Sequence, residues 1–460
     1  MESNYYQIHF LELSKDKTTV LGLKFYPYTQ NVTIPEGVIC IKDGVFSRTC
    51  LEDISLPDSL KYLGVSAFYG CSCLKNIIIP HGVKKIEYRT FFECSSLTNV
   101  ILSNSIHFID EGAFEGCSSL TNITIPKDIT SIEARTFLGC SSLTNIILPQ
   151  NLEKIGHLAF YGCNNLSQLT IPNGVTDIEE GAFCGIRSLM ISPQNQNFTL
   201  VSRGLLIDDR TKKLLYAPQD LSGSYTIPEN ITSIGESAFD NCTSLTNITI
   251  PTRVVNIGRD AFFGCTSLSS VIIPDSVIEI GFRAFGDCLS LTNATIGNRV
   301  TSISAKTFYH CRSLTSIVIP NSVVSIDEEA FYGCDSLRNV VFGKGITNIG
   351  AGAFTGCHSL TKVIVPDSVT SIEDNAFIRC TDLVDITIGN NVLYIGNHAF
   401  ANCFNLTEIT IPDSVINIGE GAFEGCRNLS MISIPHHFDE NDVQHWFNRR
   451  YFRCYIDRRK

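Results

Sequence analysis

The chain has 460 residues, 44% of them hydrophobic and only 18% charged, with 33 Gly, 28 Phe, 19 Cys and one Trp. That balance excludes intrinsic disorder, which needs low hydrophobicity and high charge, and glycine does not recur at every third position as collagen requires. Forty-six acidic against 35 basic side chains leave a formal charge of −11, which argues against a general binder of nucleic acid or anionic membrane. The first residues, MESNYYQIHFLEL, show no basic stretch, long apolar run or small-residue cleavage site of a secretory signal. No run approaches the length of a membrane-spanning helix.

Residues 1–31 read as an N-terminal hairpin cap, from the apolar stretches around Leu11-Glu-Leu and Thr19-Val-Leu-Gly-Leu and the polar Ser-Lys-Asp-Lys between them. From 32 to 435 the sequence repeats. Most cysteines fall on a ladder of 23 residues, Cys71, Cys94, Cys117, Cys140, Cys163, then Cys242 to Cys426. Cys50 begins it with a shortened step and Ile186 fills one rung, giving sixteen rungs with cysteine at fifteen. A phenylalanine normally stands three residues before the rung, as in Phe114, Phe262 and Phe423, and this register places sixteen of the 28 phenylalanines.

Within a unit such as Leu120 to Cys140, Ile123-Thr-Ile125 alternates with the period of a half-buried strand. Pro126 has no N–H to continue a ladder and ends that strand. Ile129 and Ile132 point inward from a second extended segment, so a second short strand is allowed. The small-residue stretch typified by Gly419 to Cys426 is expected to make a short helical or 3₁₀ turn. One unit cannot bury its apolar face alone, whereas stacked units share one core. The prediction is a single elongated right-handed solenoid of sixteen coils, about 75–80 Å long at strand spacing.

The interval from Ile186 to Cys242 is 56 residues, ten more than two repeats. It holds apolar runs around Asp208-Asp-Arg-Thr, and a β-hairpin insertion is expected at about 190–226. After Pro435 the repeat ends. Val443, Trp446, Phe447, Tyr451, Cys454 and Tyr455 follow helical spacing behind the capping residues Asp439, Asn441 and Asp442. Residues 436–460 are therefore read as a cap helix over the last coil. The rival is a basic aromatic tail for an acidic partner, since residues 441–460 carry six bases against two acids.

The pattern resembles the leucine-rich repeats of the BspA-like, treponemal type, with consensus LxxIxIPxxVxxIGxxAFxGC, from about Val32 to Pro435. The resemblance implies a leucine-rich repeat solenoid and surface or secreted adhesion proteins that bind host or extracellular proteins. It says less about function than about fold.

The cysteine ladder has a plainer reading than redox or metal chemistry. Equivalent residues in stacked coils lie about 5 Å apart with parallel side chains, whereas a disulfide wants converging Cβ atoms about 3.8 Å apart. The rungs are therefore expected to be buried reduced thiols. Cys40, Cys73, Cys184 and Cys454 lie off the ladder and are the better candidates for reactivity. Cys71-Ser-Cys73 has no second half of a metal site, and His436, His437, His445 and Cys454 match no standard ligand spacing. Ser, His and Asp recur as turn residues of the coil, and no phosphate-binding or HExxH motif is present. No catalytic residue, cofactor or metal is expected. Sequons such as Asn122, Asn247 and Asn293 arise from the strand consensus.

Outward positions remain. The middle residue of each Ile-x-Ile segment should face solvent, and it is apolar at Ile78, Ile101, Ile147, Ile272, Val318, Val341 and Ile364. Val318, Val341 and Ile364 are on consecutive coils and predict a stripe about 10 Å long, flanked by Arg338, Asn339 and Lys362. That stripe is the candidate partner-binding patch of a non-catalytic protein-binding scaffold. An adhesin-like surface protein follows from the resemblance. An intracellular scaffold is the alternative, because no export signal is seen and free thiols persist in reducing compartments.

Overall fold

The computed structural model describes residues 11–24, 30–447 and 455–458. The chain divides into two compact units, residues 1–211 with 215–219, and residues 212–214 with 220–460. Each is a stack of parallel coils.

In the first unit, three-residue strands from Asn31–Thr33 to Asn145–Ile147 form a six-stranded parallel sheet in chain order. Its register is regular: Asn122, Ile123 and Thr124 face Asn145, Ile146 and Ile147. Along each strand the outer residues are exposed and the central one buried, so Ile123 enters the core and Thr124 faces water. The chain leaves the sheet at Pro126, whose carbonyl accepts the Ile129 N–H at 3.2 Å. A second, two-residue strand then follows, as at Ser131–Ile132 and Lys154–Ile155, and stacks in parallel with its neighbour.

The third side of the coil is not the short helix expected from sequence. It is a run of β-turns. The N–H groups of Ala113, Glu115 and Cys117 bond three residues back, to Asp110, Gly112 and Phe114 at 3.2, 3.1 and 3.1 Å. The alternate N–H groups of Gly112, Phe114 and Gly116 bond instead to the next coil, at Ala134, Thr136 and Leu138. This alternation needs left-handed backbone at two positions per coil, here Gly112 (φ 62°) and Gly116 (φ 76°). A helix would spend all its N–H groups within one coil, whereas alternating turns use half of them to hold coils together.

The phenylalanines stack along the core. In the first unit the rings from Phe46 to Phe183 lie 5.2–6.3 Å apart and nearly parallel. In the second, the rings from Phe239 to Phe423 lie 4.8–5.7 Å apart. Rung cysteines lie beside them as free thiols, nearly all without solvent exposure. The Sγ–H of Cys117 donates to the Phe91 carbonyl at 3.1 Å, and that of Cys334 to the Phe308 carbonyl at 3.2 Å. Each such carbonyl also takes the N–H of its own coil's rung, as Cys311 N–H does at Phe308 (3.1 Å). The thiol is thus a compact core side chain with a donor for a second carbonyl lone pair.

The first rung differs from the sequence reading. Phe46 is followed three residues later by Thr49, which is buried, whereas Cys50 is exposed. Thr49 occupies the rung, with its Oγ1 donating to the Phe46 carbonyl at 2.8 Å. The ladder therefore carries fourteen cysteines, with Thr49 and Ile186 at the other two positions.

An antiparallel hairpin begins the chain, Leu11–Leu13 on Thr19–Leu23, and Thr19 and Val20 then pair in parallel with Cys40 and Ile41. The inserted hairpin pairs Phe198–Val201 with Leu205–Asp208. It closes at Ser202–Gly204, earlier than the Asp-Asp-Arg-Thr segment that suggested it. Asp208 makes a further turn, its Oδ1 accepting from the N–H groups of Arg210 and Thr211. Tyr216 ends the first ring stack edge-on to Phe183 at 6.3 Å, and its hydroxyl donates to the Ile186 carbonyl at 2.8 Å.

In the second unit an eight-stranded parallel sheet runs from Gly223–Thr226 to Asp385–Thr387. At its end a helix, Glu440–Trp446, starts at Asp439 with a full capping box to Asp442. Val443 and Trp446 are buried, and Phe438 packs edge-on against Trp446. The carbonyls of His445 and Trp446 accept the N–H groups of Gly421 and Phe423, as a further coil would. Tyr455 does not continue this helix. Tyr455–Arg458 is a strand that pairs in parallel with Met431–Ile434. Tyr451 and Cys454 lie outside the described residues.

Candidate functional site

The strand face of the second unit brings the sequence-selected stripe together. Val318 lies directly opposite Val341, and Asn339 opposite Lys362, which sets Ile364 in the same column. The three apolar side chains are 61%, 46% and 56% exposed. Their neighbours Ile317, Val340 and Val363 are buried, so alternation alone drives every second β-branched residue outward. Sheet hydrogen bonding holds this face rigid on both sides. Thr387 continues the column opposite Ile364, where it becomes polar.

The flanking polar residues are exposed, and one of them has a partner that the sequence reading missed. Lys362 Nζ lies 2.8 Å from Asp385 Oδ2, the residue opposite it on the next strand. Asp385 has the strand-first position of Asn339 and Lys362, and that equivalence was the available signal. Arg338 and Asn339 precede Val340 on their strand, with the Arg338 N–H held by the Thr315 carbonyl.

Two further surface features escaped the sequence reading. Val324, Leu393 and Ile416, each just before a two-residue strand, are also exposed. On the turn side, the coil from Gly350 to Cys357 carries glycine at both left-handed positions, Gly352 (φ 61°) and Gly356 (φ 69°). Gly352 lines a hollow of about 290 Å³ together with Tyr332 and Arg379.

Among the described residues the metal candidates do not converge. Cys71 is buried and its Sγ–H bonds to the Phe46 carbonyl, whereas Cys73 is half-buried. His437 is turned to the Val415 carbonyl at 3.0 Å. Among the described residues no three His, Cys, Asp or Glu side chains gather as a metal site. Burial pushes the rung thiols up, Cys71 to about 11 and Cys163 to about 12. Such thiols stay protonated at neutral pH and are inert as nucleophiles.

The chain matches the BspA type leucine rich repeat region over residues 24–141, 107–204, 220–338 and 301–430. It belongs to the BspA-type leucine-rich repeat family. Its fold is similar to that of a leucine rich cell surface protein from Faecalibacterium prausnitzii A2-165, at 28% identity over 82% of this chain and 92% of that one, with a TM-score of 0.59. A leucine-rich repeat protein from Bacteroides ovatus is 26% identical over 98% of both chains, with a TM-score of 0.47. The Treponema pallidum leucine rich repeat protein is 26% identical over 50% of this chain and 86% of that one, at a TM-score of 0.34. Comparison with curated proteins finds no match. Among the described residues of this BspA-type protein no helix is long and apolar enough to cross a membrane.

Proposed function

We propose that this BspA-type repeat protein is a non-catalytic, adhesin-like scaffold that binds a protein partner at the cell surface through the three-residue-strand face of its second unit. The observation that carries the reading is the registered column Val318, Val341 and Ile364, exposed on a rigid sheet. Covering it removes apolar surface from water at about 25 cal/mol per Å², and a preformed sheet gives up little conformational freedom on binding. Arg338 and Asn339 offer polar contacts at its edge, and Lys362 with Asp385 offers a charge pair. The cell-surface description of the Faecalibacterium prausnitzii protein supports the location.

Val341→Glu tests the patch. The side chain is exposed, so unfolding should shift by no more than about 0.5 kcal/mol, while affinity for a partner captured by cross-linking on source cells should fall at least tenfold. Unchanged affinity would remove the patch from the interface. A second reading, an intracellular scaffold, is favoured by the thiol-rich core, because free thiols persist in reducing compartments. Protease treatment of intact source cells separates the two, because only a surface protein is degraded.

A further inference from the structure

The position just before the core leucine of each coil is Ser, Asn or Asp in fourteen coils, from Ser96 before Leu97 to Asn428 before Leu429. It is cysteine in two coils alone, Cys50 before Leu51 and Cys73 before Leu74, and these two coils are adjacent. Leu51 and Leu74 are both buried, which fixes the two cysteines as equivalents at the surface. Cys50 reaches this position because Phe46 to Leu51 is one residue shorter than Phe68 to Leu74, so Thr49 takes the rung. Cys50 is exposed and Cys73 half-buried, unlike the rung thiols.

Contacts on both sides hold the two coils in register here. Before the pair, the Arg48 N–H bonds to the Tyr69 carbonyl at 2.6 Å and Thr49 Oγ1 lies 3.4 Å from Cys71 Sγ. After it, the Lys75 N–H bonds to the Glu52 carbonyl at 3.2 Å, and Lys75 Nζ lies 3.2 Å from Glu52 Oε2. Coil spacing of about 5 Å lies inside the Cα window of about 4.4–6.8 Å that a disulfide spans. The rung thiols are locked in the core by bonds to phenylalanine carbonyls, as at Cys94 and Cys117. Among the described residues neither Cys50 nor Cys73 makes such a bond, so no hydrogen bond holds either sulfur away from the other, and the disulfide closes with a small shift of this exposed turn that draws the two Cβ atoms together.

We propose that Cys50 and Cys73 are a modification site, an oxidisable dithiol whose disulfide staples the first rung coil to the second. The oxidant is a low-molecular-weight disulfide. One cysteine thiolate attacks it, forming a mixed disulfide and releasing one small thiol. The second thiolate then displaces the other small thiol and closes the Cys50–Cys73 bond. The protein gives up two protons and two electrons, and the small disulfide gains them as two thiols.

The test is oxidation of the folded full chain with oxidised glutathione, followed by peptide mapping. The expected product is a Cys50–Cys73 cross-linked peptide within one chain, with the rung thiols unmodified and an unfolding midpoint that rises and returns on reduction. Cys50→Ser should leave glutathione lodged on Cys73, and Cys73→Ser should leave it on Cys50. Both variants should fold, because serine is the usual residue at this position. Separate glutathione adducts on both cysteines of the parent, a Cys50 link between two chains, or no reaction at either thiol would each overturn the proposal.

Discussion

The two units repeat one coil but differ in how the ladder ends. The second holds cysteine at nine consecutive rungs, Cys242 to Cys426, beside its phenylalanine stack. The first holds five, between Thr49 and Ile186. A rung thiol reaches the phenylalanine carbonyl of the coil before it, and the coil of Thr49 has no such predecessor. Its hydroxyl turns to Phe46 in its own coil instead. At the other end, Ile186 brings no donor, and Tyr216 closes the stack and binds the Ile186 carbonyl. The difference teaches that the rung asks for a small buried side chain first, and for a donor only where a neighbouring carbonyl is within reach.

Alkaline pH should separate the units most strongly. Burial raises eight rung thiols in the second unit and five rung thiols in the first above the usual 9.0 of an unfolded thiol. Their stabilisation is complete below pH 9 and is lost as the pH climbs toward the folded values, about 11 for Cys71 and about 12 for Cys163. The unfolded chain ionises first, so each such thiol removes about 1.4 kcal/mol per pH unit in that window. Hydrogen exchange read by peptide between pH 8 and 11 should show the second unit losing protection more steeply. Equal, flat profiles would contradict the buried ladder.

Next in size is Phe331→Ala, which should cost about 3–5 kcal/mol. Phe331 is sandwiched between Phe308 and Phe354 at 5.4 and 5.1 Å, so truncation opens a cavity that neither neighbour can fill. Denaturant unfolding checks it, and a midpoint like the parent's would refute the register. A smaller effect is expected at the closing residue of the first unit. Tyr216→Phe keeps the ring against Phe183 but removes the bond to Ile186, costing about 1–2 kcal/mol. A larger loss would mean that the hydroxyl, rather than the ring, holds that end.

The coil was legible because it is written many times over. The spacing of cysteine and phenylalanine, the Ile-x-Ile alternation and the following proline each repeat, and repetition separates a core position from an accident. The outward column of Val318, Val341 and Ile364 follows from the same alternation. Features that occur once were harder. The shortened first coil placed Cys50 on the ladder by residue type, although the distance from Phe46 points to Thr49. The tight turn looked helical because Gly, Ala and Phe suit either structure locally, and only its hydrogen bonds to the next coil distinguish them. Tyr455 fits a helical period, yet an unpaired strand edge at Met431–Ile434 drew it into the sheet.

The sequence by itself determined the coil, its period and which side chains enter the core, because burial of an apolar face repeats with the residues that make it. The tertiary structure decided what depends on neighbouring coils. It chose Thr49 over Cys50 for the first rung, stacked turns over a helix on the third side, and a partner for Lys362. Each of these turns on contacts between adjacent coils, and only stacking brings residues some 23 positions apart to within reach of one another.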